Sequence, residues 1–336
     1  MIFKVMPLVK LRLVSLILCV FMATSFCASA GAQELNVRRP HVIDGYGIVD
    51  FALAENGDIW LIEKSKTDRK LPAVLVKIDS SGKQKEYKEG ITAPPGIGTH
   101  MLSIAPDGNV WFLEAGKIGR CSPTGKIDEF VLDSSDEIRI ASIAVGPDGD
   151  LWFARTSLIG KIAANGVVTE YSVGISQPSF LWDIAAGLDG NIWFTDRKNR
   201  VGKITKNGSV SEFPIEDGYS VVGGAIVAGP DGNMWFSEQH ENRIGKINPQ
   251  GLITHFLVSR RVQGSAYGLA VGRNGDVWYT APEIGVLGKI DIDGKVSEYP
   301  IKSAYFLNDD GVKEVLKLNK FHVTKIEFWL FRLFCG

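Results

Sequence analysis

The chain alternates short apolar runs with glycine-bearing turns, and the same order recurs six times. Each copy has a short apolar strand, an Asp-Gly or Asn-Gly turn, an apolar–Trp pair and a Gly-Lys-Ile segment or a variant of it. The copies read AENGDIW (54–60), APDGNVW (105–111), GPDGDLW (146–152), GLDGNIW (187–193), GPDGNMW (229–235) and GRNGDVW (272–278). Their tryptophans, spaced 51, 41, 41, 42 and 43 residues apart, are Trp60, Trp111, Trp152, Trp193, Trp235 and Trp278. A period near 42 with about four strands in each unit predicts an all-β propeller of four-stranded antiparallel blades.

The fifth copy shows how one repeat is expected to fold. Its four apolar or alternating segments are 225–228, 234–237, 243–247 and 252–256. Between the first two, Asp231-Gly232 is a strong hairpin signal, because glycine tolerates positive φ. Each outer strand carries an aromatic residue at one fixed place, which indicates packing rather than chemistry. The repeat therefore predicts the architecture and says much less about function.

The two ends of the chain depart from this pattern. Residues 1–32 have basic residues, an apolar run and small residues that fit a cleavage site, so we predict a signal peptide and export to the periplasm or the medium. A membrane anchor is the alternative, although the apolar run is short for a span. The propeller is assigned to residues 33–300. We expect no stable membrane span after signal cleavage.

Residues 301–336 form an atypical tail in which no seventh Trp strand follows. Three interpretations of this tail are open. The ring has six blades with an appended tail, or seven with a degenerate last blade completed by residues 36–43, or a last blade that was replaced after a frameshift. The seven-bladed plan is favoured, because a free apolar segment would promote aggregation.

Charge and cysteine content exclude several classes of partner. The formal net charge is −1 with both signs interleaved, and no basic stripe marks a nucleic-acid surface. The chain contains no CxxC pair of the kind that holds zinc. We expect a monomer that binds a small molecule, a peptide or a glycan at its channel mouth. The longer loop of the first repeat (64–75) is expected to contact the same ligand.

The repeat G-P-D-G-N-x-W-F-x-E…N-R-I-G-K-I…G-x-I-x-E-F resembles the streptogramin B lyases, also called virginiamycin B lyases, over about residues 45–300. This resemblance implies a seven-bladed propeller and a magnesium-dependent carbon–oxygen lyase that linearises a cyclic depsipeptide without water. It also implies a site at the narrow channel opening, where the residue eleven positions before each blade Trp points inward. Active members carry His there in two blades and Tyr in one, with carboxylates nearby that hold magnesium.

At that position this chain has Val49, His100, Ala141, Trp182, Gly224 and Tyr267. One His and the Tyr are present, but the second His is absent. The residues two before this position, and those four after each Trp, include no acid. We therefore name His100 and Tyr267 as candidate catalytic residues, predict no metal ligands, and expect Mg²⁺ only if the chain is a lyase. The predicted ligand-binding set is Val49, His100, Trp182, Gly224 and Tyr267.

Two functions stay open at this point. The favoured one is a lyase-like propeller that binds a ligand at its central channel with the family's catalytic set incomplete. The alternative is an active lyase acting on a cyclic depsipeptide or a similar ester, in which His100 acts as a general base. A further set of acids, three residues after the Trp, is interpreted as structural loop anchors: Glu63, Glu114, Asp196 and Glu238.

Overall fold

The computed structural model describes residues 46–300 except 66, 97, 133–139, 172–174, 216–223, 239–241, 259–267, 273–274 and 282–285. The predicted signal peptide (1–32), the closing strand at 36–43 and the tail (301–336) lie outside these residues. Tyr267 lies outside them too. In the described part of the chain we find no helix with the length and apolarity needed to cross a membrane.

Six four-stranded antiparallel sheets follow one another along the chain. The first comprises β1 (Tyr46–Leu53), β2 (Ile59–Ser65), β3 (Val74–Ile78) and β4 (Gln84–Tyr87), and the second β5 (Leu102–Ile104), β6 (Val110–Glu114), β7 (Lys117–Cys121) and β8 (Ile127–Val131). The third comprises β9 (Ile140–Val145), β10 (Leu151–Arg155), β11 (Leu158–Ile162) and β12 (Val168–Tyr171), and the fourth β13 (Leu181–Ala186), β14 (Ile192–Asp196), β15 (Arg200–Ile204) and β16 (Val210–Pro214). The fifth comprises β17 (Ile226–Ala228), β18 (Met234–Glu238), β19 (Arg243–Ile247) and β20 (Ile253–Leu257), and the sixth β21 (Leu269–Val271), β22 (Val277–Ala281), β23 (Val286–Ile290) and β24 (Val296–Pro300). The prediction of an all-β fold with six four-stranded repeats is confirmed.

The first strand of each sheet contacts the first strand of the next, in the order β1, β5, β9, β13, β17 and β21. These inner strands therefore stand side by side around the channel. The blade tryptophans fill the wedges between successive sheets: Trp193 of the fourth sheet lies in one apolar cluster with Ile226 and Phe236 of the fifth. Trp193 also stacks on Phe213 of its own outer strand, with ring centroids 5.7 Å apart, as the fixed outer-strand aromatics were expected to do.

The glycine of the third strand makes room for the aromatic residue of the second. Gly202 pairs across the ladder with Phe194, and a Cβ added at Gly202 would lie 2.1 Å from Phe194 Cζ. Four other sheets repeat the arrangement with the pairs Gly119–Phe112, Gly160–Phe153, Gly245–Phe236 and Gly288–Tyr279. In the first sheet Val76 stands opposite Leu61, so the larger third-strand residue faces a smaller second-strand residue.

Candidate functional site

The position eleven residues before the blade Trp is structurally special. In β1, β9 and β13 the ladder skips one residue, and the skipped residues are Val49, Ala141 and Trp182. A β-bulge of this kind bends a strand and redirects a side chain. In the second and fifth sheets the corresponding residues, His100 and Gly224, lie two positions before β5 and β17. The predicted position thus coincides with the irregular start of the inner strand.

Two predicted ligand-binding residues lie within packed structure. Val49 is buried in the apolar cluster shared by the first three sheets. Gly224 lies against Ser237, where an added Cβ would come within 1.7 Å of the Ser237 hydroxyl oxygen. The carbonyl of Gly224 accepts a hydrogen bond from Thr195 Oγ1 at 3.0 Å. The ligand-binding role of both residues stays a prediction.

Trp182 is partly exposed at the start of β13 and belongs to a layered group. Its ring stacks on Phe180 with centroids 6.4 Å apart, and the Arg197 guanidinium carbon lies 4.6 Å from the Trp182 ring centroid. The backbone N–H of Phe180 donates to the buried Asp196 carboxylate at 3.0 Å, which fixes the segment leading into the strand. The group is a pair of aromatic rings with one positive charge beside it.

His100 makes the most specific polar contact of the site. Its Nδ1 lies 2.8 Å from Oδ1 of Asp183, a carboxylate with no exposed surface. The His100 side chain keeps 21% of its surface exposed. The second sheet supplies the imidazole and the fourth supplies the carboxylate, so the pair spans the channel-facing starts of the blades.

Asp183 gathers donors from several sheets. Besides His100, Oδ1 is reached by the hydroxyls of Ser142 at 2.7 Å and Thr99 at 3.1 Å, and by the Ile184 N–H at 3.0 Å. Oδ2 accepts the Ile226 N–H at 3.0 Å. Burial by itself raises the pKa of Asp183, but the His100 charge and the hydrogen bonds from His100, Ser142 and Ile226 outweigh it and lower this pKa below its usual range. The carboxylate is therefore ionised at neutral pH.

Asp50 occupies the equivalent place in the first sheet, ten residues before its Trp. Its Oδ2 accepts the N–H groups of Met101 at 2.6 Å and Leu102 at 3.0 Å, and its Oδ1 accepts Phe51 N–H at 2.8 Å. Asp50 and Asp183 thus share one structural role, in which a buried carboxylate on one inner strand binds backbone N–H groups at the start of another. Asp183 also contacts a histidine, His100.

A cavity of about 350 Å³ occupies the channel beside His100. Its described lining comes from the inner strands of the second to sixth sheets and consists of Ala, Val, Ile and Leu, apart from Ser103 and His100. His100 is the single ionisable side chain of that described lining. Each inner strand is the edge of its sheet, so backbone groups also border the channel.

Comparison with known proteins identifies the family of this chain. The model of the virginiamycin B lyase family matches residues 85–306. The chain belongs to this family. One similar solved structure is a catalytically inactive histidine-to-alanine variant of virginiamycin B lyase from Staphylococcus aureus with quinupristin, at 29% identity and a TM-score of 0.66, covering 78% of this chain and 86% of that one.

A second is a streptogramin B lyase, at 28% identity and a TM-score of 0.66, covering 78% of this chain and 85% of that one. The fold alone is shared with the extracellular domain of a hybrid two-component system from B. thetaiotaomicron, at 13% identity and a TM-score of 0.54, covering 77% of this chain and 33% of that one. A search of curated proteins found no match.

The residues of this virginiamycin B lyase family member do not fit magnesium well at the described site. Magnesium prefers oxygen ligands such as carboxylates. The two acids nearest to the site, Asp50 and Asp183, direct both oxygens at N–H, O–H or imidazole donors. Within the described ranges no group of three or more His, Cys, Asp and Glu residues is placed to hold a metal ion.

Sequence reasoning missed Asp183, Asp50 and Ser142. A signal was available one position further along each inner strand, where the chain reads Asp50, Met101, Ser142, Asp183, Ala225 and Gly268. Two acids and a hydroxyl in an otherwise apolar strand mark sites that need buried partners.

The acids that follow the blade tryptophans are buried, and the contacts of three of them are described here. Asp196 pairs with Arg200, and Glu238 contacts Arg243 at 2.8 Å and His255 at 2.6 Å. Glu114 accepts the Ala93 N–H at 3.0 Å, and burial raises its pKa to about 8.

Proposed function

We propose that this member of the virginiamycin B lyase family is an exported, monomeric propeller that binds a ligand through its central channel. The ligand is a small molecule, a peptide or a glycan, and the part that enters the channel is uncharged. The observation that carries the proposal is the channel cavity, whose described side chains are apolar except Ser103 and His100.

The size and chemistry of the cavity support this class of ligand. A volume of about 350 Å³ lies at the lower end of the range for ligand pockets, roughly 300–1,000 Å³. His100 is the single ionisable side chain of the described lining, so a charged group in the channel would find few partners of opposite charge, and we expect an uncharged group to bind better. Backbone groups at the strand edges suit amides and hydroxyls, and Trp182 with Arg197 offers a surface for a ring or an acid outside the channel.

Three matched probes test the proposal: neutral N-acetyl-leucinamide, anionic N-acetyl-leucine and cationic leucinamide. Saturation-transfer NMR should show contact with the neutral probe and much weaker contact with the charged ones. His100→Gln should weaken this contact, whereas His255→Gln is the matched control, because His255 also bonds a buried acid through Nδ1 but lies on an outer strand. Equal contact with all three probes, or an effect of His255→Gln alone, would count against channel binding.

A second candidate function is the lyase activity itself, and the His100–Asp183 contact favours it. An imidazole held by a carboxylate is a familiar arrangement for proton removal. The test is incubation with a B-type streptogramin, with and without magnesium, followed by mass spectrometry for the linearised isomer. Turnover that His100→Gln abolishes would establish the enzyme; no turnover at high protein concentration would leave a binding propeller.

Export is tested separately. Expression of the full chain in a bacterial host, fractionation and N-terminal sequencing should recover a periplasmic or secreted protein lacking residues 1–32. An intact N-terminus in the membrane fraction would favour the anchor instead.

A further inference from the structure

The Asp183 carboxylate determines which nitrogen of His100 carries a hydrogen. An ionised carboxylate can only accept hydrogen bonds. The 2.8 Å contact between Asp183 Oδ1 and His100 Nδ1 therefore requires Nδ1 to be the donor. When the ring is neutral, Nε2 is then left without a hydrogen and can act only as an acceptor.

The surroundings hold the ring in this state. Oδ1 of Asp183 is also reached by Ser142 and Thr99, and Oδ2 is held by Ile226 N–H, so the carboxylate cannot turn away from its donors easily. His100 lines the channel cavity, and Nδ1 faces Asp183 behind the cavity wall. Nε2, on the other side of the ring, is the nitrogen that remains for a ligand.

We propose that Asp183 is a positioning residue that fixes His100 as the Nδ1–H tautomer, so that Nε2 accepts a hydrogen bond from a ligand in the channel. The ligand class is an uncharged compound that presents an O–H or an N–H group.

This inference deepens the proposed function and rests on it for the ligand, but its central claim concerns the protein alone. Asp50 provides a matched comparison, because it is also buried and also binds backbone N–H groups of a neighbouring inner strand. If Asp183 served packing only, loss of either acid would have the same consequences. If Asp183 instead positions the ring, its loss removes the hydrogen-bond acceptor of His100 Nδ1 and has the larger effect on that ring.

The experiment is long-range ¹H–¹⁵N NMR of the histidine side chains in the full-length ¹⁵N-labelled protein at pH 9, with His100 assigned by its loss in His100→Gln. In the wild type we expect an Nδ1–H tautomer with Nε2 unprotonated. Asp183→Asn should move the Nε2 resonance towards the protonated range. Asp50→Asn, which loosens the Met101 and Leu102 N–H groups next to His100, should move it less. His255, which also faces an acid through Nδ1, provides an internal reference for such a contact.

The wild-type spectrum alone tests the predicted tautomer of His100, even where a variant fails to fold. A hydrogen on Nε2 of wild-type His100 at this pH, in a neutral or a doubly protonated ring, would overturn the proposal. So would an identical shift in Asp50→Asn. The NMR sample contains no added ligand, so failure here is distinguishable from failure of channel binding, which is read from the leucinamide probes.

Discussion

Replacement of Gly202 by Ala provides a direct test of how the blades are packed. Gly202 on β15 faces Phe194 on β14, and a Cβ there would lie 2.1 Å from Phe194 Cζ. Two carbon atoms prefer about 3.5–4 Å, so the ring or the strand has to move by more than about 1 Å. Phe194 has no exposed surface and belongs to the cluster between the third and fourth sheets, so nothing flexible can yield.

Overpacking of this kind destabilises proteins by about 1–3 kcal/mol, and a fully buried ring argues for the upper value of about 3 kcal/mol. For a domain of this size that corresponds to a fall in Tm of roughly 6–12 °C. Urea unfolding followed by circular dichroism, with calorimetry for Tm, measures both. Gly190→Ala is the control, because its Cβ would meet nothing within 4 Å while its φ of +80° is unfavourable for alanine by about 1–2 kcal/mol.

The first sheet suggests a rescue. There Val76 faces Leu61, so Gly202→Val combined with Phe194→Leu should recover much of the stability lost in Gly202→Val alone. The coupling free energy from the double-mutant cycle should be about 1–3 kcal/mol. Additive effects, or a loss in Gly202→Ala no larger than that in Gly190→Ala, would refute the packing argument.

Three further outcomes are expected. Burial raises the pKa of Glu114 from 4.5 to about 8, so its contribution to the free energy of unfolding is present below pH 4.5 and is lost as the pH rises to 8, by at most about 5 kcal/mol. Urea unfolding at pH 5 and pH 8.5 should show this fall in stability, and Glu114→Gln should flatten it. An unchanged fall in Glu114→Gln would assign the pH dependence to other groups. Deletion of 301–336 should lower Tm, because the seven-bladed plan predicted from the sequence assigns these residues to the last blade; an unchanged Tm would contradict that plan. Asp183→Ala should cost about 3 kcal/mol or more in urea unfolding, because its buried donors lose their acceptor, and a change under about 1 kcal/mol would mean that the site relaxes.

The blade architecture could be predicted because its signals are local. Asp-Gly turns, alternating strands and the Trp period each lie within one repeat, and glycines such as Gly232 do adopt positive φ, here +78°. The bulge coincides with the site position that the family resemblance implied, eleven residues before the blade Trp.

The chemistry of the site could not be predicted in the same way. His100 and Asp183 are 83 residues apart, and no local motif links them. Their contact depends on how two inner strands converge at the channel, which the alternation of polar and apolar residues does not encode. The family resemblance identified His100 as a candidate, but nothing in the sequence linked it to Asp183.

The hydrogen bonds of Asp183 also have an evolutionary consequence. Repeat proteins change readily by gain or loss of whole units, because each unit contacts only its neighbours. The Asp183 carboxylate instead joins His100 of the second sheet, Ser142 of the third and Ile226 of the fifth to its own fourth sheet. Duplication or deletion of a unit between residues 100 and 226 would separate these groups, so these four blades are expected to be inherited as one block.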